Sequence, residues 1–600
     1  MNVKDALRSA HLFQKKEIPA SLSTIWGEQL DPEHVLEEYP RPQMVRDSYI
    51  NLNGYWDYKI RNHDKKHPFE MHGKILVPFS PEAPLSGVGH QLRPGEELIC
   101  ERTISLERPL WEHAHCMLHF GAVDQLCHVY INGTLALTHL GGYLPFSLDI
   151  TDYLTENENI LSVHIEDSSD TSFHSVGKQK LKRGGMFYTA QSGIWQTVWM
   201  EWVPEVHISN LHITPHIDKE TIYVTVHLSA PHRNCCTNAP VTCYVYDRNE
   251  MLVSKSICTN SSSGICEYSC YCDVNDMHLW TPDDPYLYTL KVTAGTDEVT
   301  GYFAMRAFSI EHDEKGLPRF CLNHEPLFLK GVLDQGYWPD GLYTAPSDEA
   351  LIYDIQTMKD LGFNMLRKHA KIEPARWYYH CDRLGMIVWQ DMVNGGGYHA
   401  PVMTWAPTMV ASARTRFPDQ LHPLLGRQNA SGREQFIREC KLTVQALRCF
   451  PCISTWVIFN EGWGQFDSKK LTKMFRELDS TRTIDTASGW FDKGYGDFKS
   501  EHIYFKKQYV VPDPRAYVIS EFGGYACPVK DHTTSTAIHG YKIFKTIPEF
   551  QRAYHKLLQE EIEPLKEQGL CGTVYTQVSD IEDEINGILT YDRKICKLSS

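Results

Sequence analysis

Two glutamates sixty positions apart constrain this chain more than any other feature. Glu461 follows the run Ser454-Thr-Trp-Val-Ile-Phe-Asn460, and Glu521 follows Tyr517-Val-Ile-Ser520. Each run is short, apolar and rich in β-branched residues, the pattern of a strand buried on both faces. Carboxylates that end such strands, with glycine close behind, predict a parallel barrel whose acidic groups gather at the carboxyl-terminal mouth.

The surrounding rhythm agrees. Beyond Phe308, short apolar runs alternate with amphipathic helices, the mark of βα units. The first helix is expected to start on Ser347 as N-cap, with Asp348 and Glu349 in its first turn and Leu351, Ile352, Ile355, Met358 and Leu361 at helical spacing. Eight strands can be counted: Phe328–Val332, Asn364–Arg367, Met386–Gln390, Thr455–Phe459, Ile484–Ala487, His502–Phe505, Tyr517–Ser520 and Thr573–Gln577. They fit a closed (β/α)8 TIM barrel with Glu461 just after the fourth strand and Glu521 just after the seventh. The long Gly-, Pro-, Trp- and Arg-rich stretch from Asn394 to Gly432 reads as a rim or lid.

Upstream, many short strands broken by turn residues, such as Leu118–Asp124 and Cys127–Gly133, predict a jelly-roll β-sandwich. Alternation in Thr221–Leu228 and Tyr286–Val292 predicts a second, immunoglobulin-like β-sandwich. The expected organisation is a lead-in over 1–38, a jelly roll over 39–205, an immunoglobulin-like sandwich over 206–306 and a catalytic barrel over 307–600. At 600 residues, with 42% hydrophobic content, the chain is too large for one core, so about three units are expected.

Charge narrows the partners. A net charge of -16 and a pI near 6.0 argue against a nucleic-acid partner. The segment Met1–Lys16 is charged throughout and does not read as a secretory signal, and no run is apolar enough to span a membrane, so a cytoplasmic location is expected. The eighteen cysteines are then expected to be free thiols. Cys266, Cys270 and Cys272 have even spacing, which places them on one face of a strand; they lack the paired Cys-x-x-Cys spacing of zinc sites and read as small buried hydrophobes.

Paired carboxylates across a barrel mouth suit cleavage of a glycosidic bond. One protonates the leaving oxygen and the other attacks the anomeric carbon. Asn460, beside the first carboxylate, has an amide able to hold a sugar hydroxyl, so Glu461 is assigned as acid/base and Glu521 as nucleophile. The acid needs an apolar wall to keep its proton, for which Trp456, Phe459 and Trp463 are candidates.

These residues resemble glycoside hydrolase family 2, the β-galactosidase and β-glucuronidase family, across nearly the whole chain. Asn460-Glu461 resembles the family's acid/base motif and Ser520-Glu521-Phe-Gly its nucleophile motif. Leu322–Val332, Asn364–His369 and Gln191–Val198 are further matches. The resemblance implies a retaining enzyme for β-linked sugars, with Arg367 and His369 in the sugar subsite and Tyr504 hydrogen-bonded to the nucleophile. No cofactor is implied, and homo-oligomers occur in the family.

Departures bear on substrate. The family's glucuronidases carry an Asn-x-Lys that reads the sugar carboxylate; here the place is held by Asn586-Gly-Ile588, leaving Arg593 or Lys594 as substitutes. The third-strand metal ligands of the family's galactosidases are replaced by Asp391–Gly397, so no metal is expected. Asp334, Gln335, Trp338 and Tyr575 stand where hydroxyl-reading groups are expected. The resulting expectation is a metal-independent exo-β-glycosidase for a neutral sugar such as galactose. A β-glucuronide or pentoside is the alternative substrate, and a non-catalytic carbohydrate-binding protein the alternative class.

Overall fold

Alternating burial builds the first two layers. In Gly54–Asn62, Trp56, Tyr58 and Ile60 face inward while Tyr55 and Asp57 face solvent, as a strand covering one side of a core must. The computed structural model describes residues 22–599 apart from 63–67, 106–113, 157, 230–239, 261–265, 406 and 408–417. The expectation for Met1–Lys16, and part of that for the 394–432 stretch, lie outside the described residues.

The jelly roll packs a six-stranded antiparallel sheet against a four-stranded one. The first contains Gly54–Asn62, Glu96–Ile104 and Asn159–Glu166, the second Val198–Pro204 and Ala114–Phe120. Trp56, Leu98, Leu118, Phe120, Val163 and Met200 fill the space between them. The next unit is a sandwich of two four-stranded sheets, one with Thr221–Ser229 and Glu267–Asp273, the other with Val241–Tyr246 and Tyr288–Ala294.

Eight parallel strands then form the barrel. We label them β1 (Leu329–Asp334), β2 (Met365–Lys368), β3 (Ile387–Asp391), β4 (Ile453–Asn460), β5 (Thr483–Ser488), β6 (Phe498–Ile503), β7 (Ala516–Gly523) and β8 (Leu570–Thr576). Their order is β5-β4-β3-β2-β1-β8-β7-β6, so each pairs with its neighbour in sequence and the seam falls between β5 and β6. Outside pack α1 (Asp348–Asp360), α2 (Ala375–Leu384), α3 (Ala430–Leu447), α4 (Ser468–Leu478) and α5 (Ile547–Leu557). As expected, Ser347 caps α1, its hydroxyl accepting from the Ala350 amide.

Two sequence expectations shift. β6 starts four residues before the expected His502–Phe505 and ends two before it, because Ser500, Glu501 and His502 are buried polar residues that break the apolar signature of a strand. Glu521 lies inside β7 rather than after it. The cysteines also divide: Cys266 is disulfide-bonded, against the expectation of free thiols throughout, whereas Cys100, Cys243, Cys381 and Cys452 are free and buried.

The two sandwiches are joined by a buried charge cluster on the segment that leads into the jelly roll. Arg46 grips Asp297 at 3.1 and 2.8 Å, donates to the Ile208 carbonyl at 2.6 Å and reaches Glu201 at 3.2 Å. Glu201 belongs to the jelly roll, Asp297 and Ile208 to the second sandwich. Backbone bonds between Val45 and Thr300 run alongside. Arg46→Ala leaves the buried Asp297 without its cation while Glu201 keeps Arg41, so it is expected to cost about 3–5 kcal/mol, read as a fall in the urea midpoint.

Candidate active site

Strand ends set the site. β4 delivers Asn460 and then turns at Glu461, which adopts φ +52° with its amide donating to the Ser488 carbonyl at 2.9 Å. Gly462 follows at φ +70°, and a Cβ there would sit 2.1 Å from Cδ2 of Phe491. The glycine behind the first glutamate is therefore a steric requirement as well as a conformational one. Gly524 has the same reason, since a Cβ would meet Tyr541 at 2.3 Å.

The two carboxylates converge. Oxygens of Glu461 and Glu521 and a nitrogen of His502 all lie within 4.8 Å of one another. His502 Nδ1 is 2.9 Å from Glu461 and 3.3 Å from Glu521, and its Nε2 is 2.9 Å from the Ser488 hydroxyl. Tyr504 donates its hydroxyl to Glu521 at 2.5 Å and is 2.9 Å from Thr576 Oγ1. Tyr541 stacks on Tyr504 with ring centroids 3.6 Å apart.

Arg367 lies beneath. It is wholly buried, pairs with Asp391 through two bonds of 3.0 and 2.9 Å, and donates to Glu521 at 3.3 Å and to Asn460 at 2.9 Å. His369 Nδ1 is 2.5 Å from Asp391. Burial alone would lift the Asp391 carboxyl, but Arg367 and His369 hold it below the usual range. Glu461 moves the other way. Burial raises it, and the charges of Lys178, His369 and Arg367 offset this only in part, while Glu584 adds to the rise.

The structure thus brings Asn460, Arg367, His369, Tyr504, Glu461 and Glu521 together at the barrel mouth. Trp463 stands at the rim, edge-on to Phe187 and Tyr398, with its indole donating to the Gly396 carbonyl at 3.3 Å. The other expected wall residues turn outward: Phe459 stacks on Phe436 of α3, and Trp456 donates to Asp479 behind α4. Trp490 and Phe491 take their place, Trp490 donating to the Glu461 carbonyl at 3.0 Å.

The expected hydroxyl readers separate. Gln335 bonds to Tyr188 at 2.6 Å and to Gln577 at 2.7 Å. Asp334 is held by Lys368 at 2.7 Å in a buried ion cluster with Glu373 and Lys371. Trp338 packs edge-on against Trp26 under the Arg593 guanidinium, and Tyr575 lies between Phe522 and Tyr554 of α5. Strand pleating explains the last case, because Thr576 is the residue of β8 that reaches Tyr504.

Sequence reasoning did not single out His502, although it lies in the quoted run with Tyr504. Nor did it find Tyr188 and Glu584, which meet in a short hydrogen bond between jelly roll and barrel. Glu584 also accepts from Asn586 at 3.0 Å, and Asn586 accepts from Gln577 at 2.9 Å. Glu461, His502 and Glu521 form the grouping here with metal-ligand character, and their mutual hydrogen bonds already account for the convergence.

Comparison with known proteins agrees with this geometry. Three domains of the glycosyl hydrolases family 2 match: the sugar-binding domain over 94–204, the central domain over 206–306 and the TIM barrel domain over 315–516. The chain belongs to that family. It is 24% identical over 436 residues to a β-galactosidase of Thermoanaerobacter pseudethanolicus, covering 69% of this chain and 52% of that one. It is 22% identical over 461 residues to a β-glucuronidase of Streptococcus agalactiae, covering 74% and 72%. The chain spans about half the length of the first of these. In fold it resembles the β-D-glucuronidase of Dictyoglomus thermophilum, with a TM-score of 0.70 at 17% identity over 93% of this chain and 97% of that one. A galacturonate-bound β-galacturonidase of Eisenbergiella tayi gives 0.68 at 17% identity over the same shares, 93% and 97%. Among the described residues no helix is long and apolar enough to cross a membrane.

Gly462→Ala forces a side chain into the left-handed region and onto Phe491. It is expected to destabilise by roughly 2 kcal/mol, checked by urea unfolding followed through tryptophan fluorescence.

Proposed function

We propose that this chain is a retaining exo-β-glycosidase that releases a terminal neutral sugar, of galactose type, without a metal. The observation that carries the retaining mechanism is the approach of Glu461 and Glu521 to within 4.8 Å. Retaining enzymes hold their carboxyls about 5–5.5 Å apart, whereas inverting ones leave room for a water at about 6.5–9.5 Å. Glu521, held as a nucleophile by Arg367 and Tyr504, attacks the anomeric carbon from one side. Glu461, raised by burial, gives its proton to the leaving oxygen and then takes one from the water that resolves the glycosyl-enzyme. Asn460, fixed by Arg367, is the donor for the hydroxyl beside the reacting carbon.

The neutral-sugar reading rests on where the cations are spent. Arg593 is buried and paired with Asp354, which withdraws it as a substitute for the missing lysine, and Lys594 pairs with Glu28 at the surface. Lys597 is bound to Asp580, Lys368 and Lys371 to Glu373, and Arg183 lies against Glu582 and Asp583. The groups that follow β8 are Gln577, Asn586 and Glu584, suited to hydroxyls and unfavourable to a sugar carboxylate. One observation favours the second reading, a β-glucuronide: Lys178 lies near enough to act on Glu461 and makes no ion pair among the described residues.

An aryl β-galactoside and the matching β-glucuronide, assayed with a chelator, separate the two; faster galactoside turnover is expected, and a preference for the glucuronide would overturn the neutral-sugar reading. Glu521→Ala should lower turnover by at least about a thousandfold while preserving the fold by circular dichroism, since no neighbour replaces the nucleophile. The pH profile gives a third check. Because Glu461 must be protonated, activity on poor leaving groups falls as pH rises through its elevated pKa. Lys178→Met removes a charge that lowers that pKa, so the alkaline limb of kcat/KM should move to higher pH.

A further inference from the structure

The immunoglobulin-like sandwich concentrates thiols from both of its sheets. Cys243 lies on Val241–Tyr246, opposite Ser256 and Val292 on the neighbouring strands. Cys270 and Cys272 lie on Glu267–Asp273 in the facing sheet, opposite Val224 and Ile222, both buried. The chain changes sheets at Cys258: its amide donates to the Val241 carbonyl at 2.8 Å, and the next residue, Thr259, pairs with Ser269 on the other side. The pleat therefore turns all four side chains into the same gap between the sheets.

There the sulfurs touch. Cys243 and Cys258 are 3.6 Å apart, Cys258 and Cys270 3.1 Å, and Cys270 and Cys272 3.9 Å, with Cys243, Cys258 and Cys270 mutually within 4.8 Å. Cys243, Cys258 and Cys272 are buried, whereas Cys270 retains partial exposure and offers a way in. A single buried thiol is an ordinary small hydrophobe, but Cys243, Cys258 and Cys270 converge from three segments of the chain with Cys272 beside Cys270, and together they offer a ligand set. Zn–S bonds of about 2.3 Å at tetrahedral angles place neighbouring sulfurs about 3.8 Å apart, close to two of the three separations. A disulfide would require about 2.05 Å. Soft sulfur donors select zinc over the hard divalent ions.

We propose that Cys243, Cys258, Cys270 and Cys272 form a structural zinc site that ties the two sheets of this sandwich together. On binding, the thiols release their protons to solvent and bind as thiolates; no oxidation is involved. The site lies outside the barrel and is independent of the proposed glycosidase activity. Its bond to both sheets adds a cross-link to the apolar core of the sandwich.

The test is metal analysis of the full-length chain purified under reducing conditions. About one zinc per chain is expected, lost in Cys258→Ser and in Cys272→Ser and retained in Cys596→Ser, whose cysteine lies outside the cluster. Cobalt(II) added to the zinc-stripped wild-type chain should give a thiolate charge-transfer band, a readout that does not depend on any variant folding. Iron in place of zinc, no zinc together with no such band, zinc content unchanged in both cluster variants, or a peptide map recovering Cys258 linked to Cys270 would each overturn the proposal.

Discussion

Arg367 carries its charge with no exposed surface, and the barrel mouth is arranged to satisfy it. Removing a guanidinium from water costs several kcal/mol unless its donors and its charge are both met. Asp391 on β3 takes two of its bonds, Asn460 on β4 a third, and Glu521 with the Ser520 carbonyl on β7 the rest. Burial alone would lower the Arg367 pKa, but Asp391 and Glu521 more than offset that. Asp485 on β5 sits in the same field, and burial pushes its carboxyl up to about 7, so the cluster sheds a further negative charge near neutral pH. One cation thereby fixes the relative positions of strands that enclose the mouth, and it anchors the acceptor side of Asn460.

A second constraint acts from outside the barrel. Tyr188 and Thr189 of the jelly roll bind Glu584 and Glu582 in the segment after β8, and Ser175 bridges to Gly395 at the rim. Phe187, from the same stretch, meets Trp463 and Tyr398. The pocket is therefore composite: chemistry comes from the barrel strands, and part of the wall comes from a sandwich that must dock correctly for the pocket to be complete.

How much of this was legible in the sequence depends on what each feature requires. Glu461, Glu521 and Asn460 could be read because strand termini of a parallel barrel point one way, and residue type at those termini is chemistry, whereas Arg367 and Tyr504 were implied by the family resemblance. Tyr575 failed by one position, since a strand's period of two sends residue 575 to α5 and residue 576 to the mouth. β6 was displaced because Ser500, Glu501 and His502 are buried polar residues, held by Ser520, Lys499 and Ser488 respectively, and so escape the apolar pattern. Tyr188, Glu584 and the four converging thiols needed strand register and domain docking, which linear spacing does not encode. Cys243 in particular is brought to Cys270 by the packing of one sheet on the other, and Cys258 by the crossing of the chain between them.

The same reasoning bears on specificity. A sugar carboxylate delivered to the end of β8 would meet Glu584, whose two oxygens already accept from Tyr188 and Asn586, and would find the surrounding arginines and lysines engaged in ion pairs. Displacing one of those cations would leave a buried carboxylate such as Asp354 or Asp580 uncompensated, at a cost of about 3–5 kcal/mol. That exceeds what one new hydrogen-bonded charge contact returns, about 1.5–3 kcal/mol. Neutral hydroxyls impose no such exchange, because Gln577, Asn586 and Glu584 have donor and acceptor capacity of their own. On the proposed neutral-sugar reading, the balance of charges behind β8 discriminates by making a carboxylate substrate break an existing pair, and Lys178 and Lys180, on the jelly-roll side, are cations with no ion pair among the described residues.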